Sequence, residues 1–243
     1  MMPSARVVIH TLVSRFLIAL LIIIVAIPFG IFLLLPARWR YDNRVYFWMM
    51  HVIYMILVKI TFLRVTYKGL DHVLQNEPAI IVANHQSSLD IPLIGAVFGY
   101  YPHIWLATTD LLKSPFFRLF LPRVAVMVDT STPLKAMRSL VQTLMLIEGN
   151  TRHAVLFPEG SRYTDGQIHD FYLGFVILAK KTGRPVIPMR IFNANKVYPP
   201  DTFWAQNYPI TVVVGKPMMM HAGETEEAFC DRVRQWFIEQ REG

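Results

Sequence analysis

The 243-residue chain has a single cysteine, Cys230, so no internal disulfide can form and no cysteine cluster is available for zinc. It has no G-x-S-x-G, the strained elbow on which many serine hydrolases mount their nucleophile. It has no H-E-x-x-H, and no second histidine at helical spacing from His85, which removes a helix-borne metal site. Repeats and low-complexity tracts are absent. Acidic residues are scarce at one end: residues 1–68 hold eight Lys and Arg but only Asp42, a balance of +7 that equals the formal charge of the whole chain. The rest is neutral. A nucleic-acid binder would place its basic patch on the folded domain. Basic residues around apolar segments suit anionic lipid headgroups instead.

Apolar residues are abundant, at 53% with a mean hydropathy of +0.36. Residues 16–35 read FLIALLIIIVAIPFGIFLLL, 20 positions without a charge. As a helix this run is about 30 Å long, enough for a bilayer core. Pro28 and Gly30 predict a kink, which a membrane helix tolerates. The run is too long for a cleaved signal peptide and lacks a small-x-small site. Residues 45–63, VYFWMMHVIYMILVKITFL, form a second apolar segment, rich in aromatics and interrupted by His51 and Lys59. It suits a second membrane helix or one lying in the interface. Arg6 and Arg15 precede the first segment, and Arg38, Arg40 and Arg44 follow it. Such symmetric flanks favour a two-helix anchor whose ends stay on one face; a single span is the alternative. The expectation is a membrane anchor over residues 1–64, in the inner (cytoplasmic) membrane, with the domain that follows on the cytoplasmic side.

From residue 65 to 243 the signals alternate. Residues 79–83, 124–128, 154–157, 186–192 and 210–214 read as short apolar strands. Residues 88–98 read as a helix with Ser88 as N-cap and Asp90 in its first turn. Ser131, Thr132 and Pro133 open another that ends before Gly149. Its Met137, Leu140, Val141, Leu144 and Ile147 are expected to face the core. Residues 172–182 form a helix closed by Gly183, and residues 224–240 a C-terminal helix with acids early and arginines late. The pattern predicts an α/β fold, a mostly parallel sheet covered by helices.

Two strands run into polar loops, Asn84-His85-Gln86-Ser87-Ser88-Leu89-Asp90 and Pro158-Glu159-Gly160-Ser161-Arg162. Loops at the carboxyl ends of strands are where open α/β sheets gather ligands. With eight histidines and nine aspartates, about 0.3 H-x-x-x-x-D pairs are expected by chance. The placement of this pair at a strand-to-helix turn adds weight, because the turn can fold the carboxylate back onto the imidazole. The aspartate then fixes the tautomer and stabilises the imidazolium. Ser87 and Ser88 raise a Ser-His-Asp hydrolase as an alternative, but they are more simply a turn and a cap.

Together, Asn84-His85-x-x-x-x-Asp90 and Phe157-Pro158-Glu159-Gly160-Ser161-Arg162 resemble the motifs of the 1-acylglycerol-3-phosphate acyltransferase family of glycerolipid acyltransferases. Val186-Ile187-Pro188 resembles its apolar fourth motif, and the likeness covers residues 65–217. The resemblance implies transfer of a fatty acyl group from acyl-CoA or acyl carrier protein to the hydroxyl of a lysophospholipid, most simply 1-acyl-sn-glycerol-3-phosphate, giving phosphatidic acid. His85 would be the base and Asp90 its orienter. Asn84, Glu159, Gly160, Ser161 and Arg162 would bind substrate, with Arg162 suited to a phosphate. Backbone amides at the start of the helix after His85 are candidate oxyanion donors. The implied partners are membrane lipids and the acyl donor, with no metal, no cofactor and no nucleic acid. The sequence departs from the family pattern in several places. Thr108 and Thr109 stand where lysine is usual, Asp129 is followed by Thr130 rather than arginine, and Phe171-Tyr172-Leu173-Gly174 lacks a lysine. These departures leave two alternatives: an acceptor with a larger headgroup or an aminolipid, or a catalytically silent lipid-binding protein on the same fold.

Overall fold

The computed structural model describes residues 4–36, 39, 43–73, 77–147, 152–198 and 202–242. Helix α1, Ala5–Leu34, begins well before the uncharged run, because the Ser4 hydroxyl accepts from Val7 N and caps it. Pro28 lies inside it. Its first turns are tied to the body of the protein: His10 Nε2 meets Thr61 O at 2.8 Å, Thr11 Oγ1 accepts from Ala205 N at 2.9 Å, and Arg15 donates to Phe203 O at 2.8 Å. Its later turns leave Ile22, Ile23, Ile24, Ile27 and Ile31 exposed. Helix α2, Arg44–Ile60, is capped by Asn43, whose side chain accepts from Val45 N and Tyr46 N. The two helices run antiparallel, since Phe29 and Phe32 of α1 meet Tyr46 while His10 meets Thr61.

The inner face of α2 belongs to the core. Tyr46, Phe47 and Tyr54 are buried, and Tyr54 OH accepts from Trp105 Nε1 at 3.1 Å. Gly95 lies so close beneath Tyr54 that a Cβ there would fall 2.4 Å from the ring. Truncating a buried phenylalanine such as Phe47 to alanine removes about 3–5 kcal/mol.

The sheet has seven strands: β1 Val65–Lys68, β2 Ile80–Ala83, β3 His103–Thr108, β4 Ala125–Val128, β5 His153–Leu156, β6 Val186–Phe192 and β7 Ile210–Val214. Their order is β1-β7-β6-β2-β5-β3-β4, and every neighbouring pair is parallel except β6 with β7. Strands β1 and β3 add to those expected. The four residues of β2, Ile-Ile-Val-Ala, are wholly buried, as a parallel strand covered on both faces requires. Pro188 sits in β6 without disrupting it, because the ladder to β7 starts only at Met189. Alternate residues separate two cores. Ile81, Ala83, Trp105 and Val155 face α2, α3 (Asp90–Gly95), α4 (Pro115–Val124) and α7 (Ala194–Val197). Ile80, Val82, Ile104 and Ala154 face α5 (Pro133–Ile147), α6 (Gly174–Thr182) and α8 (Glu226–Glu239).

Three local expectations change. Ser88 is not an N-cap: α3 starts at Asp90, and Leu89 at the cap position makes no side-chain bond. The Asp90 carboxylate gathers the amides of the turn instead. In α5, Leu140, Leu144 and Ile147 pack inward, but Met137 and Val141 are exposed. Ser139 and Thr143 take the inward positions, each hydroxyl bonded to a carbonyl one turn back. In α8, capped by Thr225, the arginines sit mid-helix and pair with Glu224 and Asp170 rather than with the C-terminal dipole. Gly149, Arg38 and Arg40 lie outside the described residues.

Candidate active site

Because β2, β5 and β6 are parallel, the loops after them open at one end of the sheet. His85 leaves β2 there and Glu159 leaves β5. The tight turn from His85 to Asp90 brings the two side chains together, with His85 Nδ1 2.7 Å from Asp90 Oδ2. The same oxygen accepts from Gln86 N at 2.6 Å and Ser87 N at 2.8 Å. Three donors on one fully buried oxygen lock the carboxylate in place. The imidazole is then fixed in two ways: its Nδ1 is held by Asp90, and its face stacks on Phe157, with centroids 4.0 Å apart and planes 11° from parallel. With Nδ1–H donating to the carboxylate, Nε2 is left as the basic nitrogen. It has no hydrogen-bond partner among the described residues.

The second loop clasps the first. Glu159 Oε1 accepts from His85 N at 3.2 Å, and Tyr163 N donates to His85 O at 2.9 Å. Glu159 Oε2 accepts from His169 N at 3.3 Å. Burial pushes the Glu159 carboxyl above its ordinary range, against the opposite pull of the two amides. Glu159 is thus a buried clamp between the loops, at the edge of the recess beside them. Asn84 is tied down in the same way. Its Nδ2 donates to Ile191 O at 3.0 Å and its Oδ1 accepts from Ile191 N at 2.7 Å, so it stitches the loop to β6. Both side chains are buried and bonded to backbone groups.

Gly160, Ser161 and Arg162 are exposed at the mouth. Gly160 has φ +69°, and a Cβ there would fall 2.7 Å from the Tyr172 ring, so the turn needs glycine on two counts. Ser87 is buried; its hydroxyl accepts from Leu89 N and its amide donates to Asp90, which makes it a turn residue. Four of the amides in this turn are committed elsewhere: Gln86 and Ser87 to Asp90, Leu89 to the Ser87 hydroxyl, and Asp90 to Ser87 O.

Sequence reasoning missed one flank of the site. Asp165 and His169, four residues apart, form a second pair at 2.8 Å, and the His169 ring stacks on Tyr163. Bonds from the Gln167 amide and from His169 hold the Asp165 carboxyl below its ordinary range. The i, i+4 spacing was the available signal. Glu159, Tyr163, His169, Asp170, Phe171 and Tyr172 line a recess of about 370 Å³ beside the loop. A larger groove of about 460 Å³ lies at the base of the hairpin, lined by Arg6, Ile9, His10, Val13 and Phe62. It holds neither residue of the His85–Asp90 pair. Among the described residues no group of three or more His, Cys, Asp or Glu could hold a metal ion.

Comparison with known proteins agrees with this architecture. The family model described as Acyltransferase matches residues 64–192. A 1-acyl-sn-glycerol-3-phosphate acyltransferase of Pseudomonas aeruginosa is 31% identical over 212 residues, spanning 85% of this chain and 79% of that one. One from Limnanthes douglasii is 26% identical over 196 residues, spanning 79% and 68%. The crystal structure of the 1-acyl-sn-glycerophosphate (LPA) acyltransferase of Thermotoga maritima has the same fold, with a TM-score of 0.72 at 23% identity over 98% of this chain and 96% of that one.

Proposed function

The chain belongs to the acyltransferase family, and on that premise we propose that it moves a fatty acyl group from a thioester onto the free hydroxyl of 1-acyl-sn-glycerol-3-phosphate at a membrane surface. The observation that carries the reading is the His85 Nδ1–Asp90 Oδ2 bond, aimed by a turn that Glu159 clasps from the second loop. An alcohol is a poor nucleophile until a base takes its proton. His85 Nε2 takes it as the hydroxyl oxygen attacks the thioester carbonyl, and Asp90 stabilises the imidazolium that forms. The tetrahedral oxyanion collapses, the carbon–sulfur bond breaks, and the thiolate takes the proton back from Nε2. The products are the diacyl lipid and a free thiol, and neither metal nor cofactor enters the balance. His85 and Asp90 are the catalytic pair in this reading. Arg162, exposed beside the recess, meets the acceptor's phosphate, while Gly160 and Ser161 shape the mouth.

Membrane attachment, which we assign to residues 1–64, is supported by the apolar stretch Ala5–Phe32, long enough to cross a bilayer. The antiparallel partner α2 docks on the sheet, and this favours a hairpin lying in one leaflet over a free-standing span. The basic residues around the hairpin favour the cytoplasmic leaflet of the inner membrane. A lyso-lipid with a larger headgroup is the second reading, favoured by the absence of lysine from residues 171–174 at the edge of the recess.

The test is a panel of lyso-lipids with a labelled acyl thioester, product identification by mass, and His85→Ala alongside. Phosphatidic acid from the intact protein, with none from the variant and unchanged vesicle binding, is the expected result. Full activity in His85→Ala ends the catalytic proposal, and a preferred acceptor other than 1-acyl-sn-glycerol-3-phosphate selects the second reading.

A further inference from the structure

We propose that the groove at the base of the α1–α2 hairpin holds one anionic glycerophospholipid, a molecule distinct from the lipid being acylated. The proposal rests on the membrane attachment assigned above and names a lipid for one site on it. The groove, of about 460 Å³, is walled by Ile9 and Val13 of α1 and by Phe62, just past α2. These side chains are 63%, 42% and 54% exposed. Arg6, Ile9, His10 and Val13 lie three, one and three residues apart, so they share one face of α1. Over the seven residues from Arg6 to Val13 that face runs about 10 Å, with the cation at one end and the apolar groups beyond it. A phospholipid has the same order, a charged phosphate and then an apolar chain.

Two further observations point to this occupant. Phe62 has φ +53°, in the left-handed region that bulky side chains rarely enter. It follows Thr61, the C-cap of α2, at the place where glycine is usual. An exposed phenylalanine thus sits where the backbone favours glycine, with its ring edge-on to His10 at 6.3 Å. Strain of this kind collects at positions that hold ligands. Charge is the second observation. Arg6, Lys59 and Arg64 are exposed around Phe62 and the first turn of α1, and none makes an ion pair among the described residues. Asp42 is the only acidic residue before Asp71. A neutral lipid would leave these cations unmet, and a soluble phosphate ester would leave Ile9, Val13 and Phe62 uncovered. Two-fold pairing of this face would set the three cations against their own images. The bound lipid is not the acceptor. Strand β1 pairs parallel with β7, and β7 antiparallel with β6, so β1 starts at the end of the sheet where β2 delivers His85. Three strand spacings, about 14 Å, separate the two strands. The glycerol hydroxyl of a lipid is only a few bonds from its own phosphate, so a lipid held in the groove cannot present that hydroxyl to His85.

The test titrates the full chain in neutral detergent micelles with dioleoyl phosphatidylglycerol, dioleoyl phosphatidylcholine and glycerol 3-phosphate, counting bound lipid by mass spectrometry of the intact complex. One phosphatidylglycerol per chain should be retained, about tenfold more tightly than phosphatidylcholine, and excess glycerol 3-phosphate should not displace it. Arg6→Gln combined with Arg64→Gln should abolish the preference. Lys216→Gln, which removes an exposed cation beyond the far end of β7, should leave it intact. Phe62→Gly suits the left-handed turn, so the melting temperature should hold while affinity for phosphatidylglycerol falls about tenfold. Retention without headgroup preference, binding that does not saturate, displacement by glycerol 3-phosphate, or full affinity in both the arginine and the Phe62 variants would overturn the proposal. So would a dimer that forms without lipid and is broken by Phe62→Gly, which would assign the groove to a second copy. Vesicle binding without selective retention defeats this site alone. If the chain also binds no vesicle, the membrane reading falls with it.

Discussion

Replacing Asp90 by asparagine isolates the charge of the orienting group while keeping its size. Asp90 Oδ2 accepts from His85 Nδ1, Gln86 N and Ser87 N. An amide oxygen in that place can still accept from the two backbone amides, so the turn should persist. What disappears is the negative charge beside the imidazolium that forms during proton transfer. With about 4 Å between the charge centres and an effective dielectric near 20, that attraction is worth about 4 kcal/mol. Each ~1.4 kcal/mol is tenfold in rate, so kcat should fall by roughly a thousandfold. KM for the acceptor should stay within a few fold, because Asp90 is fully buried and touches no substrate. The assay is transfer of a labelled acyl group to 1-acyl-sn-glycerol-3-phosphate in mixed micelles, with thermal unfolding as the control. A folded Asp90→Asn variant within tenfold of the wild-type kcat would refute the claim that the carboxylate works through its charge.

Three further outcomes follow from the geometry. Ser87→Ala with Ser88→Ala should keep most activity and lose about 1 kcal/mol of stability, since only the Ser87 hydroxyl bond to Leu89 N goes; loss of transfer with an acyl-serine visible by mass would revive the hydrolase alternative. Glu159→Gln should destabilise by about 1–3 kcal/mol in thermal unfolding, because the new amide nitrogen must face the backbone N–H of His85 or His169; an unchanged melting temperature would show that the clamp does not hold the loops. Burial lowers the His103 pKa from 6.5 to about 4. The unfolded chain therefore binds this proton at higher pH than the folded one, and stability should fall as pH drops from 6.5 toward 4 by up to about 3 kcal/mol. Comparing unfolding curves of the wild type and His103→Gln across that window checks it, and identical acid limbs would rule it out.

Much of this protein was legible along the chain. Strand Ile80–Ala83 announces itself, since a parallel strand buried on both faces must be apolar throughout, and Val186–Phe192 nearly does, broken only by Arg190. The alternation of such strands with helices carried the fold class, and the spacing of His85 and Asp90 around a strand-to-helix turn carried the candidate pair. Strand β3 was harder to see, since it opens on His103, whose burial depends on Tyr54 and Phe98 from other elements.

Residue types and their spacing along a chain state which groups a turn can bring together, because neighbours a few residues apart have few ways to fold. They cannot state which polar side chains will be buried, because burial depends on distant segments. Only the folded sheet set Asn84 against Ile191, made Glu159 a clamp across 74 residues, docked α2 on Trp105 and turned Met137 and Val141 of α5 outward. Each of these depends on a partner that tertiary packing alone supplies.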